Sequence, residues 1–206
     1  MIQSKQNDFI NISLKSILTV ITFTPLFLFY SSYFVYGQSL NIKKEYWENG
    51  QIRLEESYKE DQLEGLSRYF YENGIKMSEV NYKIGKKNGL KSHWYTNGKI
   101  WYERRYNYGV KDGLETEWYY NQRVKLKRHF KKGKKDGFSN SWYENGQQES
   151  GKLFKLGIKD GLFTSWYKNG NLNIEEHYLD GEKDGLYTSW YESGQKKLEE
   201  RYKKGE

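Results

Sequence analysis

The chain has 206 residues, no cysteine and one proline, and its formal net charge is +7. Without cysteine it has no disulfide framework, no thiol nucleophile and no cysteine-ligated zinc site. The composition is as polar as that of many disordered chains, but 18% of the residues are aromatic. Aromatic side chains bury large areas, so this content favours an ordered structure.

The first 37 residues differ in kind from the rest. A basic start precedes an uncharged apolar segment, residues 17–30, and Val35-Tyr36-Gly37 follows, with small or short residues at its first and third positions. This order is typical of a secretory signal peptide, so we expect residues 1–37 to be a hydrophobic, helical leader that is cleaved after Gly37. The alternative is an uncleaved anchor in the inner membrane, because residues 17–36 are long enough to span a bilayer.

Residues 38–206 repeat with a fixed period of 24 residues, in about seven copies. Each copy carries an aromatic pair followed by Asn-Gly or an equivalent, and most carry a second Gly preceded by Asp, Asn or Glu. The first aromatic of each pair is Tyr46, Phe70, Trp94, Trp118, Trp142, Trp166 or Trp190. A further aromatic column comprises Tyr58, Tyr82, Tyr106, Phe130, Phe154, Tyr178 and Tyr202. Such regular self-similarity marks a repeat architecture.

Two turn signals per repeat, between segments rich in Tyr, Trp, Thr and Ile, predict two short strands per repeat. We therefore predict an all-β fold: one elongated antiparallel meander sheet of β-hairpin repeats, preceded by the hydrophobic helical segment. We expect three-residue loops at both turns, which pair Trp142 with Gln148 and Phe130 with Trp142. This register places Leu114, Trp118 and Phe130 on one face of the sheet, and charged residues with the second tyrosines on the other.

The segment from Trp142 to Gly170, WYENGQQESGKLFKLGIKDGLFTSWYKNG, resembles the MORN-repeat variant family, whose bacterial members are often labelled YwqK-type antitoxins. The resemblance covers residues 42–206. It implies an all-β repeat rod that binds other molecules, with no reaction and no defined catalytic residues. The label also implies an antitoxin or immunity function.

The polar residues do not form a catalytic set, and we expect no enzyme activity and no catalytic, cofactor-binding or metal site. The histidines His93, His129 and His177 lie in different repeats, so we interpret them as surface residues. The aspartates before glycine, Asp112, Asp136, Asp160 and Asp184, suit a type I turn. A calcium ladder is the weaker interpretation, because calcium needs about six converging oxygen ligands.

We hypothesise that the protein is an exported, non-enzymatic scaffold that binds a protein partner at the cell envelope, located in the periplasm, on the surface or outside. The candidate binding residues are the regularly spaced tyrosines Tyr95, Tyr119, Tyr143, Tyr167 and Tyr191. One alternative is charge-driven binding of anionic lipid or glycan, and another is neutralisation of a toxin. Export argues against nucleic acid as a partner.

Overall fold

A computed structural model describes residues 9–11 and 40–206 of the chain. Over these residues the chain forms a single antiparallel sheet whose strand order follows the sequence from β1 to β15. The strands are β1 (Phe9–Asn11), β2 (Asn41–Tyr46), β3 (Ile52–Lys59), β4 (Gln62–Phe70), β5 (Lys76–Lys83), β6 (Lys86–Trp94), β7 (Ile100–Asn107), β8 (Val110–Trp118), β9 (Val124–Lys131), β10 (Lys134–Trp142), β11 (Gln148–Lys155), β12 (Ile158–Trp166), β13 (Leu172–Leu179), β14 (Glu182–Trp190) and β15 (Lys196–Tyr202).

The prediction of an all-β meander of hairpin repeats is confirmed. From β2 onward every strand pairs with the next through a short loop, and equivalent strands recur every 24 residues. The predicted leader and its helical segment, residues 17–36, lie outside the described residues. Among the residues that the structure describes, no helix is long and apolar enough to cross a membrane.

The loops that follow the aromatic pairs have the predicted three-residue form. In the loop after β10, the Tyr143 N–H donates to the Gln147 carbonyl at 2.8 Å, and the Gly146 N–H donates to the Tyr143 carbonyl at 2.9 Å. Gly146 has a φ of 95°, as the last residue of such a loop requires. Trp142 therefore pairs with Gln148, as predicted.

The prediction for the second turn was wrong. Lys131 pairs with Lys134, so the loop is the two-residue segment Lys132-Gly133. Both residues have positive φ, 50° and 82°, which type I′ hairpin turns require because their twist matches that of the strands. Phe130 consequently pairs with Lys135 rather than with Trp142.

The Asp-Gly pair lies inside a strand instead of forming the turn. Between Lys135 and Ser139, β10 carries three residues opposite a single residue of β9, which makes a bulge. The Asp136 carboxylate accepts the N–H of Leu156 at 3.0 Å, in the two-residue loop one repeat later. The interpretation of these aspartates as type I turn residues is thus corrected: Asp136 holds the next repeat's turn in place.

This change of register separates side chains that the sequence analysis had grouped together. Phe130 and Leu126 pair with Gly113 and Glu117 of β8, so both lie on one side of the sheet, which we call the aromatic face. Leu114 pairs with His129 and lies on the opposite side, which we call the leucine face. Trp118 alternates with Leu114 along β8 and also lies on the leucine face, so the predicted grouping was correct for these two residues and wrong for Phe130.

The described strands form a single layer, so their core is thin. Among the described residues, the buried apolar side chains are Leu54, Val80, Tyr102 and Phe130, all on the aromatic face. Serine, threonine and glutamate side chains account for the rest of the buried positions. Stability therefore depends on bonding between successive repeats, as expected for a quasi-one-dimensional repeat protein.

Candidate functional site

The candidate tyrosines link consecutive repeats. The hydroxyls of Tyr95, Tyr119, Tyr143 and Tyr167 donate to the carbonyls of Trp118, Trp142, Trp166 and Trp190, each 23 residues later, at 2.8–2.9 Å. These four side chains are half-buried. Burial raises the pKa of Tyr95, Tyr119 and Tyr143 above its ordinary value, which keeps the phenols protonated and able to donate.

Tyr191 differs from the other four in its exposure to solvent. Its side chain is 51% exposed. At the other end of the array, Trp47 takes the tyrosine position, and its indole N–H donates to the Phe70 carbonyl at 3.1 Å. The structure thus places the predicted tyrosines in one regular row but gives the first four a bonding role inside the protein.

The asparagines of the three-residue loops make a second row of links. The Asn145 side-chain carbonyl accepts the N–H of Gln147, and its amide donates to the Lys168 carbonyl in the next loop, both at 3.0 Å. Asn121, which precedes Gln122 instead of a glycine, donates to the Glu144 carbonyl in the same way at 3.2 Å. The asparagine at this position therefore forms hydrogen bonds both within its own loop and to the equivalent loop of the next repeat.

The two-residue loops are linked along the opposite edge. The Gly133 N–H donates to the Lys111 carbonyl at 2.8 Å, and the equivalent glycines repeat this bond. These glycines are Gly85, Gly109, Gly133, Gly157, Gly181 and Gly205. The sequence analysis missed this column, although its 24-residue spacing was visible.

The leucine face carries an exposed apolar row, which we call the leucine row. It comprises Leu66, Leu90, Leu114, Phe138, Leu162 and Leu186, which are 37–68% exposed. Phe138 pairs with Leu153, and the Leu153 side chain covers Gly161 beside Leu162. Since these residues lie on every second strand, the row extends about 48 Å at the usual strand spacing.

The aromatic face is acidic near its ends. Glu56, Glu176 and Glu200 occupy equivalent positions, and each accepts a hydrogen bond at 2.7–2.8 Å from the tyrosine hydroxyl two residues later. The bond from Tyr58 to Glu56 raises the pKa of that tyrosine to about 12. In the central repeats, Arg128 and Lys152 replace the glutamate, and phenylalanine replaces the tyrosine.

An ion-pair network occupies the middle of the aromatic face. Glu115 is only 1% exposed and contacts Lys111 Nζ at 2.9 Å and Arg104 Nε at 3.1 Å. Arg128 binds the same carboxylate through Nε at 2.8 Å and through Nη2. Burial acts to raise the pKa of Glu115, but the hydrogen bonds from Lys111 and Arg128 and the nearby positive charges lower it overall. The carboxylate stays ionised and joins β7, β8 and β9.

Lysines pack on aromatic rings along the same face. The Nζ atoms of Lys87, Lys111, Lys135, Lys159 and Lys183 lie 4.1–5.5 Å from the ring centroids of Tyr106, Phe130, Phe154, Tyr178 and Tyr202. Lys152 lies on the strand between Lys135 and Lys159, with its Nζ 5.0 Å from the Phe163 ring centroid. These contacts lie within the range of cation–π attraction.

The histidines do not converge. His129 and His177 are exposed, as predicted, but His93 is half-buried and stacks on Tyr102 with ring centroids 5.1 Å apart. Burial and the charges of Lys91 and Arg104 lower the pKa of His93. Within residues 40–206, no group of three or more His, Cys, Asp or Glu residues could hold a metal ion.

Comparison with known proteins gives the family. A family model described as MORN repeat variant matches residues 41–60, 63–83, 87–108, 159–180 and 183–204, slightly more than half of the chain. The unmatched stretch, residues 109–158, continues the same strands and loops. No curated protein matches the sequence significantly. The repeated hairpins and the five matches together show that this chain belongs to the MORN repeat variant family.

Proposed function

We propose that the protein is an exported, non-enzymatic repeat scaffold that binds a protein partner at the cell envelope through the leucine row. The observation that supports this is the row itself. Single exposed apolar residues are normal on a protein surface, whereas a continuous apolar surface is typical of an interaction site. Here six apolar side chains repeat on one face of the sheet, and within residues 40–206 no second layer covers them.

The middle of the row is the best candidate for the centre of the interface. Phe138 is the most exposed of the six, at 68%, and pairs with the apolar Leu153. Leu114, His129 and Phe138 also line a shallow open depression. Interfaces depend on a few large apolar or aromatic side chains surrounded by polar ones, and this arrangement matches that pattern.

The scaffold function is also supported by how the polar residues are used. The phenols, loop asparagines and buried carboxylates bond mainly to neighbouring strands and repeats, as Tyr143, Asn145 and Glu115 illustrate. A catalytic site needs an acid, base or nucleophile converging on one place. Among the described residues, the histidines lie on β6, β9 and β13, too far apart to act together.

Export is proposed from the first 37 residues alone, because their basic start, apolar segment and small-residue end have the order of a signal peptide. Mass spectrometry of the native protein tests this. A mature chain that begins at Gln38 would support export, and an intact N-terminus would contradict cleavage. Lipid or glycan binding and toxin neutralisation stay predictions.

Capture from cross-linked native envelopes tests the binding function. We expect the wild-type chain to retain a protein that the double variant Leu114→Ser, Leu162→Ser loses. Leu156→Ser is the matched control, because Leu156 is an exposed leucine as well, at 54%, but lies in a two-residue loop outside the row. The proposal fails if no protein is captured, or if the double variant and the control retain it equally.

A further inference from the structure

We propose that the centre of the aromatic face is a second binding site, which takes a short acidic segment of a protein. The site is formed by Lys135, Lys152 and Lys159, which we call the central basic patch. It lies on β10, β11 and β12, on the opposite side of the sheet from the leucine row. It is therefore independent of the interface proposed above.

The register of three strands brings the lysines of the patch together. Lys152 on β11 pairs with Ser139 of β10 and with Phe163 of β12. Lys135 and Lys159 lie on those two flanking strands, and each packs against an aromatic ring of the same face. The two outer lysines are thus about 10 Å apart at the usual strand spacing.

The lysines of the patch lack the carboxylate partners that equivalent lysines have. Lys111 and Lys183 occupy the same position in other repeats and contact Glu115 and Glu176 at 2.9 Å. Within residues 40–206, no ion pair within 4.0 Å joins a carboxylate to a lysine of the patch, and Lys159 Nζ instead donates to the Tyr178 hydroxyl at 3.0 Å, which in turn donates to Glu176. Like charges therefore face each other there, and an anionic ligand would relieve this repulsion.

The pKa of Lys135 agrees with this geometry. The pKa of Lys135 is lowered by burial and then by the positive charges of Arg128 and Lys152, which outweigh the opposing effect of Glu115. A bound carboxylate would supply the missing counter-charge and stabilise the protonated form.

The charge of the rest of the face limits the size of the ligand. The positions equivalent to Lys152 are Glu56 and Val80 near one end of the sheet, Arg104 and Arg128 beside the patch, and Glu176 and Glu200 near the other end. An anionic surface or polymer lying along the whole sheet would meet these carboxylates. A ligand that spans only three or four strands, about 10–15 Å, would avoid most of them.

An acidic peptide fits these dimensions better than a small anion does. The lysines lie on three successive strands and do not converge on one point, so one phosphate cannot contact all of them. In an extended peptide, carboxylates two or three residues apart are separated by about 7–10 Å.

Fluorescence anisotropy with a labelled peptide of six glutamates flanked by serines tests the proposal. We expect the wild-type protein to bind it, with affinity that falls at high salt. Lys152→Glu should weaken binding about tenfold or more, since it places a like charge in the site, and Lys152→Gln should weaken it less. The matched control is Lys127→Glu, which makes the same charge change at an exposed position on the leucine face and should bind as the wild type does.

Several results would overturn the proposal. The proposal fails if the wild type does not bind the peptide, or if the Lys152 and Lys127 variants lose peptide affinity equally. It also fails if the wild type binds anionic vesicles or a sulfated glycan more tightly than the peptide. Urea unfolding of each variant shows whether the sheet is intact, and Lys152→Gln keeps the test valid if the charge reversal unfolds it. The double variant Leu114→Ser, Leu162→Ser should still bind the peptide, so the two sites can fail separately.

Discussion

The tyrosine links between repeats allow a stability measurement with an internal control. Tyr143→Phe removes one hydroxyl and leaves the ring in place. The lost bond is the 2.8 Å contact to the Trp166 carbonyl. Tyr191→Phe is the same change at the last tyrosine of the row, whose side chain is exposed.

The magnitude follows from the cost of one unmade hydrogen bond. Removing the donor leaves a half-buried carbonyl without its partner, which costs about 1 kcal/mol. With a urea dependence of about 2 kcal/mol/M, the unfolding midpoint should fall by about 0.5 M. The linked tyrosines Tyr95, Tyr119, Tyr143 and Tyr167 lie about 10 Å apart. Their effects should therefore add to about 4 kcal/mol in the quadruple variant.

Urea unfolding followed by tryptophan fluorescence measures these differences, because the chain has seven tryptophans. We expect Tyr191→Phe to unfold at the wild-type midpoint and Tyr143→Phe to unfold earlier. Equal midpoints for the two variants would refute the structural role of these hydroxyls. A loss of partner capture in a stable Tyr143→Phe variant would instead favour the original hypothesis that the tyrosines bind a partner.

Three further changes test other parts of the fold. Ile84→Asn should raise the free energy of unfolding, measured by urea titration, by about 1 kcal/mol. The turn holds this β-branched residue at a φ of 50°, a conformation that asparagine tolerates better. An unchanged urea midpoint would contradict the turn assignment. Glu115→Gln should lower stability at neutral pH by about 2–3 kcal/mol, since Lys111 and two arginines lose their shared counter-charge. The pKa of Glu115 is lower in the folded than in the unfolded chain. Its contribution to the free energy of unfolding is therefore complete above about pH 4.3 and is lost as the pH falls through the folded-state pKa. The variant should lose less stability than the wild type on acidification, and identical pH profiles would argue against the network. Gly161→Ala should cost about 1–3 kcal/mol, because φ is 110° and the new Cβ would lie 3.0 Å from the Leu153 side chain; thermal melting of this variant beside the wild type measures the cost, and an equal melting temperature would contradict it.

The sequence by itself determined the period, the strand content and the first loop. The 24-residue recurrence of aromatic pairs and Asn-Gly loops is visible without any structure, and it leads directly to antiparallel hairpins. The pairing of Trp142 with Gln148 was predicted because the alternation of apolar side chains selects a three-residue loop there. These features depend on neighbouring residues and on a pattern that repeats seven times.

Only the tertiary structure decided where the second turn lies. Lys132-Gly133 and Asp136-Gly137 are both able to form a turn locally, and the choice between them depends on bonds to strands a repeat away. Gly133 bonds back to Lys111, and the Asp136 carboxylate bonds forward to Leu156. Because moving a turn changes which face each following side chain occupies, this choice placed Leu114 and Trp118 on the face opposite Phe130 and so separated the leucine row from the aromatic face.

The bonding state of the tyrosines and lysines was also decided by the tertiary structure. The sequence shows Tyr143 at regular spacing but gives no sign that its hydroxyl meets a carbonyl 23 residues later. In the same way, it shows Lys111 and Lys135 as equivalent, whereas only Lys111 has a glutamate beside it. The physical reason is that partners across strands are set by register, and in this protein the register is fixed by links between repeats.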